Sequence, residues 1–190
     1  MEGDTPSFLY VMPNGLHDTQ KPTQGSWGGF FEWGQGPDKQ TDSYTNHQGK
    51  AQQTSRKYEA YFYPAIFNDF AARMDWADKG EGNRNPVINI KGTRTLEIAE
   101  YKVKVGEEFC PDATATYDPD GNQLNFKWWI LPEAGTYQQT VNIEQSNQTR
   151  PILHIPTDAA GHTLHLICEV TDNGTPSLTS YRRLILHVGK

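Results

Sequence analysis

Oxygen-rich side chains cluster in two turn-forming stretches of this 190-residue sequence: Asp118, Asp120 and Asn122 in Asp118-Pro-Asp-Gly-Asn122, and Asp172 and Asn173 in Thr171-Asp-Asn-Gly-Thr-Pro176. Hard oxygens so close along a chain could serve calcium, which takes six to eight of them at once. The same residues are also turn chemistry. Proline presets φ, glycine accepts a positive φ, and short acidic side chains bond their own backbone. Turn formation alone accounts for all of them, and a calcium site is the alternative.

A second chemistry is carried by rings. Trp27, Phe30, Phe31 and Trp33 lie in Gly25-Ser-Trp-Gly-Gly-Phe-Phe-Glu-Trp-Gly-Gln-Gly-Pro37, a stretch too rich in glycine to read as a packed element. Flexible backbone bearing planar rings suits a sugar-binding surface, because apolar sugar faces stack on aromatic rings while nearby amides bond the hydroxyls. The candidate contacts are Trp27, Phe31 and Trp33 here, with Trp129 and Tyr137 further on. The alternative is that Trp27 and Trp33 cover a neighbouring core.

Other chemistries find little support. The six histidines show no metal-ligand spacing. Nucleophile elbow, phosphate-cradling glycine loop and Ser, His, Asp set are all missing from the sequence. Net charge is −6 with 17 scattered basic residues, which argues against nucleic acid as the main partner. No apolar run approaches the roughly 20 residues needed to cross a bilayer. Met1-Glu-Gly-Asp-Thr-Pro6 lacks a charged and then apolar signal segment and resembles the start of an excised fragment.

The elements that must position these residues differ between the two halves. Asp4 or Thr5 can cap a short helix with Pro6 in its first turn and Phe8, Leu9 and Met12 on one face; Pro13-Asn-Gly15 stops it. Glu2 and Asp4 would sit at its mouth, as a cap or as site carboxylates. Residues 17–57 carry turn formers and amides without sustained periodicity and read as loop. Apolar residues at three- and four-residue steps then predict a helix over 64–78, with Pro64 in its first turn. Gly80, Gly82 and Asn83-Arg-Asn-Pro86 read as its end and a linker.

Beyond Pro86, eight short strand-like runs punctuated by turns predict an antiparallel β-sandwich with an immunoglobulin-like arrangement. Leu124, Phe126, Trp128 and Ile130 alternate, so Trp128 should face the core and Trp129 the water. Leu164, Leu166, Cys168 and Val170, and likewise Leu184, Leu186 and Val188, mark core strands. Cys110, Trp128 and Cys168 follow the order of a disulfide-bonded immunoglobulin domain. Cys110, however, is out of phase with the inward Phe109, so two free thiols are expected. The fold class is α+β overall, with an incomplete α/β segment at residues 1–84 and the sandwich at 86–190.

Glu2-Gly-Asp-Thr-Pro-Ser-Phe-Leu-Tyr10, Trp27-Gly-Gly29 and Phe67-Asn-Asp-Phe-Ala-Ala-Arg-Met-Asp-Trp76 resemble the last portion of a nucleoside-hydrolase-like domain found in a family of exported bacterial proteins. Val105-Gly-Glu-Glu-Phe109, Tyr117-Asp-Pro-Asp-Gly-Asn122, Lys127-Trp-Trp129, Pro132-Glu-Ala-Gly-Thr-Tyr137 and Glu169-Val-Thr-Asp-Asn-Gly-Thr-Pro176 resemble that family's C-terminal, cellulose-binding sandwich. The sandwich is also similar to PKD and cadherin-type modules. The resemblance implies a polysaccharide partner, an upstream nucleoside-hydrolase-like domain and a periplasmic or extracellular location. It also implies a calcium-ligand role for Asp4, with Gly3 where a nucleoside hydrolase has the histidine that assists the leaving base. The family's other calcium-binding aspartates lie outside this chain. The expected role is therefore non-catalytic carbohydrate binding or scaffolding; the alternative is part of a calcium-dependent glycosidic or N-glycosidic hydrolase completed upstream.

Overall fold

The computed structural model describes residues 5–16, 18–36 and 38–190. Its elements in order are helix α1 (Thr5–Val11), a 3-10 turn (Pro22–Gln24), strands β1 (Glu32–Gln35) and β2 (Asp42–Thr45), and helix α2 (Gly49–Lys79). Seven strands follow: β3 (Ala99–Lys104), β4 (Glu108–Phe109), β5 (Leu124–Ile130), β6 (Ile143–Glu144), β7 (Ile152–His154), β8 (Thr163–Asp172) and β9 (Thr179–Gly189).

Alternation along the long strands builds the sandwich. One sheet has the order β3-β9-β8-β5 and the other β4-β7-β6. Leu164, Leu166, Cys168 and Val170 of β8, Leu184, Leu186 and Val188 of β9, and Trp128 of β5 meet Phe109 and Leu153 of the second sheet in one buried cluster. The expected parity holds, and Cys168 is a buried free thiol while Cys110 is an exposed one. One pairing departs from the expected antiparallel plan: β3 runs parallel to β9. Residues 87–90 make only isolated bridges, Val87 to Tyr117 and Ile90 to Thr93.

The larger sheet is buried on both faces. Trp129, Ile167 and Tyr181 point away from the sandwich core and join Leu16, Trp27, Phe30, Ala51, Tyr58, Phe62 and Leu131 in a second apolar cluster. α2 covers this face with a stripe of Ala51, Thr54, Ser55, Tyr58, Phe62, Asp69 and Ala72. Polar ties fix the helix to the sheet. Tyr61 Oη donates to Glu169 at 2.7 Å and accepts from Lys127 Nζ at 2.6 Å. Tyr58 Oη and Lys57 Nζ both reach the Glu133 carboxylate, at 2.8 and 2.6 Å.

α2 begins fifteen residues earlier than the expected 64, and the polar run 49–57 is helical rather than loop. Its buried face there is Ala51, Thr54, Ser55 and Tyr58, so hydroxyls stand where an apolar stripe would have revealed the period. Pro64 lies inside the helix; the carbonyl deprived of a donor belongs to Ala60, an exposed position that water can reach. The expected stop is observed, with Gly80 in the left-handed conformation and its N–H on the Trp76 carbonyl. Asn83, expected in a linker, is buried and bonded to Asp172, the Pro176 carbonyl and Asn122. Among the described residues before Pro86 there is no parallel β-α-β unit.

Candidate functional site

The segment from Ser26 to Thr45 places an aromatic pair in solvent. Ser26 and Gly29 exchange backbone hydrogen bonds at 2.9 and 3.0 Å, closing a turn over Trp27-Gly28. Gly29 has φ +103° and a Cβ there would come 2.8 Å from Ser55 Oγ, so only glycine lets α2 approach this closely. Ser55 Oγ donates to the Phe30 carbonyl at 2.7 Å and accepts from the Phe30 N–H at 2.9 Å, clamping the chain where the hairpin begins. Asn46, just after β2, donates to the same hydroxyl at 3.2 Å. Both ends of the hairpin are thus held by one helix residue.

In the hairpin, Trp33 lies opposite Tyr44 in antiparallel register. Cross-strand partners share a face, and the two rings meet edge to face with centroids 5.0 Å apart. Trp33 is 61% exposed and Tyr44 47%. Ahead of β2, the Asp38 carboxylate accepts from the backbone of Gln40 and Thr41 and from the Thr41 hydroxyl. Those bonds hold the Asp38 carboxyl below its usual range. A cleft of about 130 Å³ beside Trp33 is lined by Glu32, Gln35, Thr45, His47 and Gln48. An exposed ring next to a carboxylate, two amides, a hydroxyl and an imidazole can stack on a sugar and bond its hydroxyls.

The other ring candidates are differently placed. Phe31 is half-buried and packs edge to face on Tyr10 at 5.9 Å, so it supports the base of the hairpin. Trp27 is 2% exposed and Tyr137 6%, which corrects their assignment as sugar contacts: Trp27 packs in the helix-facing cluster against Tyr181, and Tyr137 in the sandwich core with its hydroxyl on Asp158. Trp129 does turn away from the sandwich core, but α2 rather than water receives it. Its ring packs on Tyr61 and Phe62, and its Nε1–H donates to Glu169 at 2.9 Å. What remains accessible of it borders a shallow depression with Gln138, Gln139 and Thr140.

The oxygen cluster is occupied by the fold itself. Asp118 Oδ1 accepts from the backbone of Asp120 and Asn122, Asp120 Oδ2 accepts from the Arg84 N–H, and the Asn122 amide donates to Asn83. Asp172 accepts from Gly174, Leu178 and Asn83, and Asn173 accepts from Gln123. Asp118 Oδ2 alone among these is buried without a partner. Turn formation accounts for these residues. Among the described residues no group of three or more His, Cys, Asp or Glu could hold a metal ion. Glu2, Gly3 and Asp4 lie outside the described residues.

Tyr44 was not a sequence candidate. Its only signal is an aromatic in Asp42-Ser-Tyr-Thr45, four residues ahead of a helix whose start was itself hidden.

Residues 108–188 match the family described as cellulose-binding protein Sde0182, C-terminal domain, and residues 1–31 match cellulose-binding Sde182, nucleoside hydrolase-like domain. Among solved structures the chain is similar to a nucleoside hydrolase-related hypothetical protein from Saccharophagus degradans that is associated with carbohydrate metabolism. Identity is 31%, the TM-score 0.85, and the match covers 99% of this chain and 48% of that one. The chain thus spans about half the length of that relative. The PKD domain from KIAA 1837 protein aligns at 11% identity and TM-score 0.34 over 48% of this chain and 80% of that one. Mouse cadherin-23 EC22-24 aligns at 17% and 0.40 over 57% and 33%. No curated protein matches the chain.

Proposed function

From the matches of residues 108–188 and 1–31 to cellulose-binding proteins that carry a nucleoside-hydrolase-like domain, we propose that the chain is a non-catalytic polysaccharide-binding part of a longer protein of that kind, with the β1–β2 hairpin as its contact. The observation that carries this reading is the exposed Trp33 ring, buttressed by Tyr44 and bordered by hydrogen-bonding side chains. Stacking needs an accessible ring on a backbone that does not yield, and the clamp at Ser55 supplies the second condition. On this reading Trp33 and Tyr44 receive the apolar face of a pyranose ring, and Glu32, Gln35, His47 and Gln48 bond its hydroxyls. The same reading proposes a periplasmic or extracellular location, where such a polysaccharide would be met.

Retention on insoluble cellulose tests the assignment. Trp33→Ala should weaken binding about tenfold, the ~1.4 kcal/mol that a stacking anchor can contribute. Undiminished retention would remove the hairpin from the function.

The match of residues 1–31 favours a second reading, in which the longer protein hydrolyses glycosidic or N-glycosidic bonds and Asp4, with Glu2, contributes calcium ligands. Nucleoside turnover by the longer protein, compared with its Asp4→Asn variant, distinguishes the two.

A further inference from the structure

α2 carries two apolar stripes, and the sandwich accounts for one of them. At 3.6 residues per turn, Tyr63, Phe67, Phe70 and Met74 form a second stripe about a third of a turn round the helix from the residues that face the sheet. All four are exposed: Tyr63 63%, Phe67 56%, Phe70 58% and Met74 49%. Tyr63 and Phe67 stack on one another with centroids 6.2 Å apart, so the stripe is a continuous surface. α1 supplies the facing wall through Phe8, 63% exposed, and Val11, 54% exposed. Between the helices runs a groove of about 720 Å³. Among the described residues that line it, Arg73 donates to Asp69 at 2.6 Å.

A free-standing protein rarely leaves so many large side chains together in water, and a contiguous patch of this kind marks an interaction site. Two observations identify the occupant. One wall of the groove, α1, lies within the residues that match a nucleoside-hydrolase-like domain, and that match covers only residues 1–31. The S. degradans relative, similar to this chain over its whole fold, is about twice as long.

We propose that the α1–α2 groove is the seat of the upstream remainder of the nucleoside-hydrolase-like domain, which lays an apolar element across Phe8, Tyr63, Phe67, Phe70 and Met74. α2 is then a shared spine, with its first stripe on the sandwich and its second on the upstream domain. The two parts of the longer protein would be held in fixed relation rather than strung on a linker. This rests on the family matches and is independent of where the polysaccharide binds.

Hydroxyl-radical footprinting read by mass spectrometry tests it without any substitution. The 190-residue chain is compared with the longer polypeptide that carries a complete nucleoside-hydrolase-like domain. Oxidation at Tyr63, Phe67, Phe70 and Met74 should slow about fivefold or more in the longer polypeptide, as for side chains taken into an interface core. Trp33 and Tyr44, on the hairpin, should oxidise at the same rate in both. Equal rates at the four groove residues would overturn the proposal. So would protection already present in the 190-residue chain and lost on dilution, because the occupant would then be a second copy.

Discussion

Arg183 shows what single residues contribute. It is wholly buried in the larger sheet, and among the described residues no carboxylate bonds to it; its Nε donates to the Leu16 carbonyl at 2.7 Å, Nη2 to the Gly25 carbonyl at 2.6 Å, and Nη1 lies 2.9 Å from His165 Nδ1. A guanidinium only donates, so Nδ1 of His165 must accept and the imidazole hydrogen belongs on Nε2. Burial first, and the Arg183 cation second, pull the His165 pKa down to about 3. The unfolded chain, with an ordinary value near 6.5, binds this proton first as pH falls. Stability is therefore fully present above about pH 6.5 and drains away towards pH 3, by up to about 3 kcal/mol between pH 7 and 4. Urea melts across that range should show a shallower acid loss for His165→Gln than for the parent. Arg183→Ala strands two buried carbonyls and should cost on the order of 3 kcal/mol at neutral pH in the same assay.

Among the elements, α2 governs both the site and the core. Ser55→Ala leaves the Phe30 N–H and carbonyl without their partner, a loss of about 1–3 kcal/mol, and should weaken cellulose retention along with stability because the hairpin is rooted there. Trp129→Ala opens a void beneath Tyr61 and Phe62 and should lower stability by about 2–4 kcal/mol. Retention by the folded fraction of that variant should stay at the parental level, which separates a core tryptophan from a contact one. The strands were legible because their buried residues are apolar and alternate: Leu164 to Val170 announces its inward face unaided. The first half of α2 was not, since Thr54 and Ser55 are buried for the hydrogen bonds they make rather than for hydrophobicity. Trp129 shows the limit of parity, which gives the side of the sheet a residue faces but not what covers that side. Phe31 and Trp33 were read as ligand contacts from their surroundings in sequence. Only the cross-strand register shows that Tyr44, rather than Trp27, stands beside Trp33.

At the scale of the molecule, the division near residue 85 separates two compositions but not two independent cores. The outer face of the larger sheet, with Trp129, Ile167 and Tyr181, is apolar because α2 together with Leu16, Trp27 and Phe30 covers it. A polypeptide of residues 86–190 alone would expose that face; it should bind more of a hydrophobic dye than the whole chain does and aggregate more readily, as light scattering would record. The hairpin lies on the helix side of this assembly, so the surface offered to a polysaccharide is built by the first half of the chain on a platform supplied by the second.

The indole N–H signals of the five tryptophans in a 15N-labelled sample, followed through a titration with cellohexaose, test the assignment of the hairpin most directly. The signal of Trp33 should shift progressively while those of Trp27 and Trp128, buried in two separate cores, stay in place. A titration that leaves Trp33 unmoved, or moves Trp129 in its stead, would contradict it.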